Sequence, residues 1–516
     1  MTQNPYGHER VRKGVGHYVT GRAIAAIASL IVVLLLVRVM PVQDYGVFVT
    51  ATGAATILVM LSLCGLDRVI LKFVPEGRLK ASSYDLARFL LRMIGLRMAA
   101  AVAFLVPVII AHEWLFGLLQ LPVSSGILVA IALYALLFAF TDFSVYCLQA
   151  LMLQEQLRLS VSVAWLVRLL VVGFILLAQW NLEAGLILWI WAAAESVAAL
   201  ILSIPLISVM RTGWQSRGVE TACPKWPDPQ AGLGALAASN FLSSLVGIPW
   251  QPYALRTIAG ALLPVPQVAA YGFFQILIDR IRGYLPIFFF ASLTEPLMSA
   301  HITKGEEKQR VLDNMAIVVQ LSVWMLAPLI AVFAVVGQPA VELLTGGKYG
   351  EFSGILVILL CQILLGVHVS LLWSFFSVLG ESRTIWRAVI PSMFVFPLLL
   401  YCGSRYGMFG MALTAPLNTI IFLLIMLAQL RRMGFVYPIH WSLLGRILLL
   451  SSLVPMPALG LLTIDSNWQT SRPMYLAMLA LGGFAYLVGS YLIPPFSREQ
   501  ASVITRLMPS LAKYIK

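Results

Sequence analysis

Apolar runs of about 20 residues, the length that spans a bilayer, follow one another along nearly the whole chain. Fourteen can be read, at about 19–39, 45–65, 87–111, 126–149, 159–179, 184–207, 234–258, 268–294, 313–336, 354–378, 385–403, 407–430, 443–464 and 473–493. A soluble chain 60% hydrophobic and only 11% charged would have to hide that surface in several cores, and soluble domains carry about 25% charged residues. The pattern predicts an all-α integral membrane protein with about 14 transmembrane helices. The basic N-terminus runs straight into a full-length span, without the pattern of a cleavable signal. Five scattered cysteines without C-x-x-C, and six histidines without ligand spacing, predict no disulfide framework, no metal site and no cofactor.

The net charge of +13 raises nucleic acid as a partner, and the positions of the charges argue against it. With the N-terminus placed in the cytoplasm, the inner segments hold 26 Lys and Arg. The outer turns hold five: Arg38, Arg256, Lys348, Arg405 and Arg472. Such a split follows the positive-inside rule and predicts an even span count with both termini cytoplasmic. The longest inner loops, 208–233 and 295–312, are too short for a soluble domain.

The chain also repeats. Tyr45-Gly46-Val47-Phe48 returns 226 residues later as Tyr271-Gly272-Phe273-Phe274. Each copy follows a proline-containing turn, Met40-Pro41-Val42-Gln43 or Pro264-Val265-Pro266-Gln267. Glu155 and Glu381 fall in short polar turns at the same offset, and Glu183-Ala184-Gly185 and Phe409-Gly410-Met411 open spans at nearly that offset. An internal duplication of six spans predicts two pseudo-symmetric six-helix lobes, 1–207 and 234–430, running in the same direction. The cytoplasmic linker 208–233 joins them, and 431–516 adds spans 13 and 14 and a cytoplasmic tail.

Ionisable residues in mid-span cost about 2.5–3.5 kcal/mol each on a lipid-facing helix and usually face a cavity or one another. Arg97, Asp142, Arg168 and Glu195 lie in spans 3, 4, 5 and 6. Span 8 carries Asp279, Arg280 and Arg282, about 12 residues from its outer end and so about 18 Å deep. Asp279 and Arg282, three apart, share a helix face, which leaves Arg280 as the less neutralised charge unless Glu195 or Asp142 reaches it. Pro286 denies the Arg282 carbonyl its helical hydrogen bond and predicts a kink. Arg168 and Glu195 sit at similar depth on neighbouring spans, which predicts an ion pair. Arg97 either snorkels toward the basic run at Arg88 and Arg92 or faces the cavity, and Arg22, Arg38 and Arg256 lie near span ends. These candidate cavity charges are mostly cationic, which suits an anionic cargo such as a pyrophosphate. Trp189, Trp191 and Trp250 read as packing residues or interfacial anchors. Counting from the repeat, Arg280 corresponds to Ala54, so the lobes differ in how they would hold a cargo.

Arg38-Val39-Met40-Pro41, Asp44-Tyr45-Gly46-Val47-Phe48, Gly65-Leu66-Asp67 and Phe73-Val74-Pro75-Glu76 together resemble the opening of the polysaccharide and O-antigen flippases. Those flippases belong to the multidrug/oligosaccharidyl-lipid/polysaccharide exporter superfamily. Tyr271-Gly272, Gly347-Lys348-Tyr349 and Tyr406-Gly407-Met408-Phe409-Gly410-Met411-Ala412 are similar to later landmarks of that family, over about residues 10–430. The resemblance implies two six-helix lobes around a central cavity, with two further helices alongside. It implies a non-enzymatic transporter in the bacterial cytoplasmic membrane, moving a polyprenyl-pyrophosphate-linked glycan to the outer leaflet for O-antigen or exopolysaccharide synthesis. Its partners would be the lipid-linked glycan, the bilayer and other polysaccharide-assembly proteins. Arginines in such cavities are expected to hold pyrophosphate but occupy no fixed motif positions, so the candidates here rest on depth.

A cation-coupled drug or metabolite exporter of the same superfamily would use membrane-embedded acids. Span 1, with Arg22 and Arg38 and no acid, speaks against it; Asp142, Glu195 and Asp279 speak for it. A membrane-embedded glycan polymerase or ligase would need a long outer loop or a catalytic domain, and the outer turns are short. The chain has no Walker motif.

Overall fold

Proline and glycine set many of the helix boundaries. The computed structural model describes residues 8–122, 124–216, Trp226, 232–289, 298, 302, 307–439, 441–464, 472–494 and 496. Among them every regular element is a helix, and ten helices are long and apolar enough to cross a membrane. Two shorter apolar stretches, Ala23–Val39 and Ser162–Leu177, lie in the predicted first and fifth spans. The chain forms two compact units, Met1–Phe273 and Phe274–Lys516.

The first unit holds α1 (His8–Val39), α2 (Val42–Leu61), α3 (Leu66–Lys80), α4 (Ser83–Ile110), α5 (His112–Leu118), α6 (Ser125–Ala150), α7 (Gln154–Leu177) and α8 (Ala184–Gln215). It continues with α9 (Leu233–Gly247), a 3-10 turn (Ile248–Trp250), α10 (Pro252–Leu262) and the start of α11 (Val265–Tyr284). α1 packs on α7, α6 and α7 on α8, α4 on α6 and α8, and α10 on α2. Lipid tails are as apolar as leucine, so small residues that let backbones approach hold such helices together. α2 accordingly buries Thr50, Ala51, Thr52 and Ala55, and α10 buries Ala254, Thr257 and Ala259.

The repeated Tyr-Gly pair lies in the first turn of α2 and about the second turn of α11, and each glycine faces a valine of the other helix. A methyl group added at Gly46 would sit 3.3 Å from Val265 Cγ1, and one at Gly272 would run into the Val49 side chain. Tyr45 and Tyr271 are both buried beside these glycines. The two glycines are thus points at which the N-terminal halves of α2 and α11 approach each other.

Three predicted spans are broken. Span 7 is split at residues 248–251, where Pro249 and Pro252 remove backbone donors and Gln251 is extended (φ −80°, ψ 148°). Span 8 ends at Tyr284, and α12 (Pro286–Phe289) follows; the Leu285 amide takes the Arg282 carbonyl at 3.2 Å, as the Pro286 argument required. Span 13 divides into α16 (Trp441–Ser452) and α17 (Met456–Ile464), separated by a turn ending at Pro455.

In the second unit α13 (Lys308–Thr345) packs on α14 (Ser353–Val378), and α14 on α15 (Ser382–Arg432). A straight helix of 51 residues would be about 76 Å long, more than twice the hydrocarbon thickness. α15 breaks at Gly407 (φ 62°, ψ −146°), between predicted spans 11 and 12. The last helix is α18 (Arg472–Leu492).

α3 has no counterpart among the predicted spans. The basic segment after span 2 forms α3, an amphipathic helix that buries Val69, Ile70, Phe73 and Val74 against Leu86, Phe89, Phe143 and Leu148 and exposes Arg68 and Lys72.

Candidate functional site

The first unit concentrates polar groups in its interior. α2 stops at Leu61, and the left-handed residues Cys64 (φ 49°) and Gly65 (φ 73°) turn the chain into α3. A helix end leaves carbonyls without helical partners and carries partial negative charge. Arg97 on α4, fully buried, answers both: its Nη2 donates to the Val59 carbonyl at 2.9 Å and its Nη1 to the Ser62 hydroxyl. Arg97 therefore caps α2 from a neighbouring helix. Of the two readings from sequence, snorkelling and cavity lining, neither describes this geometry.

The Arg168–Glu195 pair expected from sequence forms across α7 and α8, with Nη2 2.5 Å from Oε1. The Thr141 hydroxyl on α6 donates to Glu195 Oε2 at 2.9 Å. The guanidinium lies over the Trp165 ring (4.6 Å) and the Trp191 ring (5.1 Å), and Trp191 meets Phe48 edge-on at 5.0 Å. Trp191 is a packing residue. Both ion-pair partners are buried, so the pair is a cross-link between three helices.

Asp142 follows Thr141 on α6, and its Oδ2 is buried with no hydrogen-bond partner among the described residues. Arg97 is the oppositely charged group nearest in effect, and Glu195 and Asp67 repel it. An ionised carboxylate is costly in such a place.

The cluster read in span 8 occupies the last two turns of α11. Asp279 is exposed, and Arg280 and Arg282 are half-buried. Arg282 places its guanidinium 4.7 Å from the centre of the Phe288 ring, beyond the break at Leu285. Nearby on the same helix, Gln275 is buried and its Nε2 has no partner among the described residues. A search for charge misses this residue because an amide carries none. Arg38 is exposed and Arg256 half-buried, while the Arg22 side chain lies outside the described residues.

Asn240 Nδ2 on α9, within predicted span 7, donates at 2.7 Å to Asp67 Oδ1 on α3, outside the spans. Burial pushes the Asp67 carboxyl above the usual carboxylate range, and Arg68 opposes that shift. In the turn Gly347-Lys348-Tyr349, burial lowers the Lys348 ammonium and pushes the Tyr349 phenol up to about 12. No group of three or more His, Cys, Asp or Glu side chains is placed to hold a metal ion among the described residues.

A family model described as polysaccharide biosynthesis protein matches residues 11–285. No curated protein sequence matches the chain. Among solved structures, the lipid II flippase MurJ in an inward closed conformation superposes with a TM-score of 0.66 at 12% identity, covering 92% of this chain and 98% of that one. An inward-facing multidrug resistance MATE transporter of the MOP superfamily superposes with a TM-score of 0.58 at 12% identity, covering 80% and 95%. At such identities the likeness is one of fold.

Proposed function

The chain belongs to the polysaccharide biosynthesis protein family, and from that membership we propose that it is a flippase for a polyprenyl-pyrophosphate-linked oligosaccharide. The observation that carries the proposal is the family match over residues 11–285, on a chain that shares its fold over 92% of its length with the lipid II flippase MurJ. The charge asymmetry of the loops supports a multi-pass protein with both termini in the cytoplasm. Cargo would then move from the cytoplasmic to the outer leaflet by alternating access of two lobes.

The candidate cargo-holding residues differ in burial. Arg97 and Arg168 are buried, and each donates from its terminal nitrogens to protein acceptors. Arg280 and Arg282, only half-buried on the helix that also carries Gln275, are the better candidates for a pyrophosphate, since a guanidinium matches phosphate oxygens in pairs. The test compares Arg280→Ala with Arg280→Lys in cells whose surface polysaccharide depends on the protein, with expression matched. The proposal predicts that alanine abolishes or strongly reduces glycan export and lysine retains part of it. Full export by the alanine variant would remove Arg280 from the mechanism.

A second reading, a cation-coupled exporter of small molecules, is favoured by one observation, the buried Asp142 Oδ2 without a hydrogen-bond partner among the described residues. Under that reading, expression in a drug-sensitive host would raise resistance, and Asp142→Asn would abolish the gain.

A further inference from the structure

α9 differs from the helices around it. It is apolar and long enough to span in part, yet none of its residues is buried. Leu242 and Leu245 are 52% and 44% exposed. The next helix, α10, is the opposite case: Pro252, Ala254, Leu255, Thr257, Ala259 and Gly260 are all buried, and α10 packs along α2. Between them lies the stretch 248–251, a 3-10 turn (Ile248–Trp250) followed by extended Gln251. A tightly held helix is joined through a break to a loosely held one.

What holds α9 lies near its first residues, the end that the charge sorting assigns to the cytoplasm. Leu233, Leu236 and Ala237 rest against the cluster under α3. Gly65, in its left-handed turn, approaches α9 so closely that any Cβ there would collide with the Ala237 carbonyl. Asn240 then donates to Asp67 at 2.7 Å. Trp226, just upstream, lays its ring edge-on against Phe89 at 5.0 Å. Apart from these contacts α9 touches α2 only lightly.

We propose that Asp67 and Asn240 form a latch that holds the cytoplasmic end of α9 on the first unit, and that α9 swings about residues 248–251 when the latch opens. Segments with few buried contacts open locally at low free energy, and hinges are short element-terminal stretches that absorb the backbone change. α9 has both properties. Asn240 carries the polar contact and Gly65 permits the approach, while α10 stays fixed on α2 as the pivot's anchor. Within an alternating-access cycle the latch would be a contact of the cytoplasm-closed state.

The test is amide hydrogen exchange on the full-length protein in lipid nanodiscs, comparing the wild type with Asp67→Ala, Asn240→Ala, the double variant and Asp67→Asn. Loss of one such hydrogen bond corresponds to roughly a 5- to 30-fold change in an opening equilibrium. Exchange across 233–247 should rise by about that factor in either alanine variant, with α2 and α10 unchanged. The double variant should exchange no faster than the singles, because both remove one bond. Asp67→Asn, which keeps a carbonyl acceptor, should stay near the wild type. Unchanged exchange in α9, or an equal rise throughout the first unit, would overturn the latch. The readout needs no cargo, so it stands or falls separately from the flippase reading.

Discussion

Replacing Glu195 with leucine should be among the most destabilising single changes in the first unit. Arg168 is 4% exposed, and its Nη2 lies 2.5 Å from the carboxylate. Removing one partner of a buried pair leaves the other charge uncompensated, at a cost of about 3–5 kcal/mol. Thr141 loses the acceptor it reaches at 2.9 Å, worth about 1 kcal/mol. The stacked Trp165 and Trp191 rings hold part of the stranded charge, by about 2 kcal/mol when desolvated, which places the expected loss nearer 3 than 5 kcal/mol. The double variant Arg168→Leu with Glu195→Leu removes both charges and should recover most of that loss, since apolar replacements of whole buried pairs are often neutral. The assay is equilibrium unfolding of the purified protein in mixed micelles, read as a double-mutant cycle. The reasoning fails if Glu195→Leu lies within about 1 kcal/mol of wild type, or if the double variant is as unstable as the two singles added together.

Arg97→Met should destabilise the protein by about 1.5–3 kcal/mol through the lost cap on α2, and Arg97→Lys should recover part of it; unfolding midpoints in the same micelles check this. Gly272→Leu forces a side chain into Val49 and should cost about 1–3 kcal/mol by overpacking, measured in the same way, while an exposed control such as Leu448→Ala should leave stability unchanged. Asp67 titrates above its ordinary value because it is buried. Its contribution is therefore fully present below the unfolded carboxylate pKa of about 4 and is lost as pH rises through the higher folded value. Thermal stability followed against pH should show that loss in the wild type, and Asp67→Asn should flatten it.

The all-helical fold was legible in the sequence because the bilayer imposes a length on every span. The Arg168–Glu195 pair was legible for a related reason: charges at equal depth on adjacent spans have few other partners. Pro286 announced the break after Tyr284. Pro249 and Pro252 announced the break at 248–251 just as clearly, but the apolar character of 234–258 masked it. The role of Arg97 was not legible, because its partner is the carbonyl end of another helix, and the end of α2 shows in sequence only as the Gly65 turn. α3 was hidden in a basic segment whose charges were counted for orientation, while its apolar positions Val69, Ile70, Phe73 and Val74 carry helical spacing. Asn240 and Gln275 were passed over because a search for intramembrane charge ignores amides. The Tyr-Gly repeat was visible in sequence; that Gly46 faces Val265 and Gly272 faces Val49 emerges only in three dimensions.

The flippase reading rests on where a lipid-linked glycan stops when the protein is absent. Lipid extraction from a deletion strain, with leaflet position read by an impermeant glycan-modifying reagent, measures this. A polyprenyl-pyrophosphate-linked oligosaccharide should accumulate on the cytoplasmic leaflet, and restoring the gene should clear it. Glycan reaching the outer face at the normal rate, in a strain with no redundant flippase, would contradict the proposal.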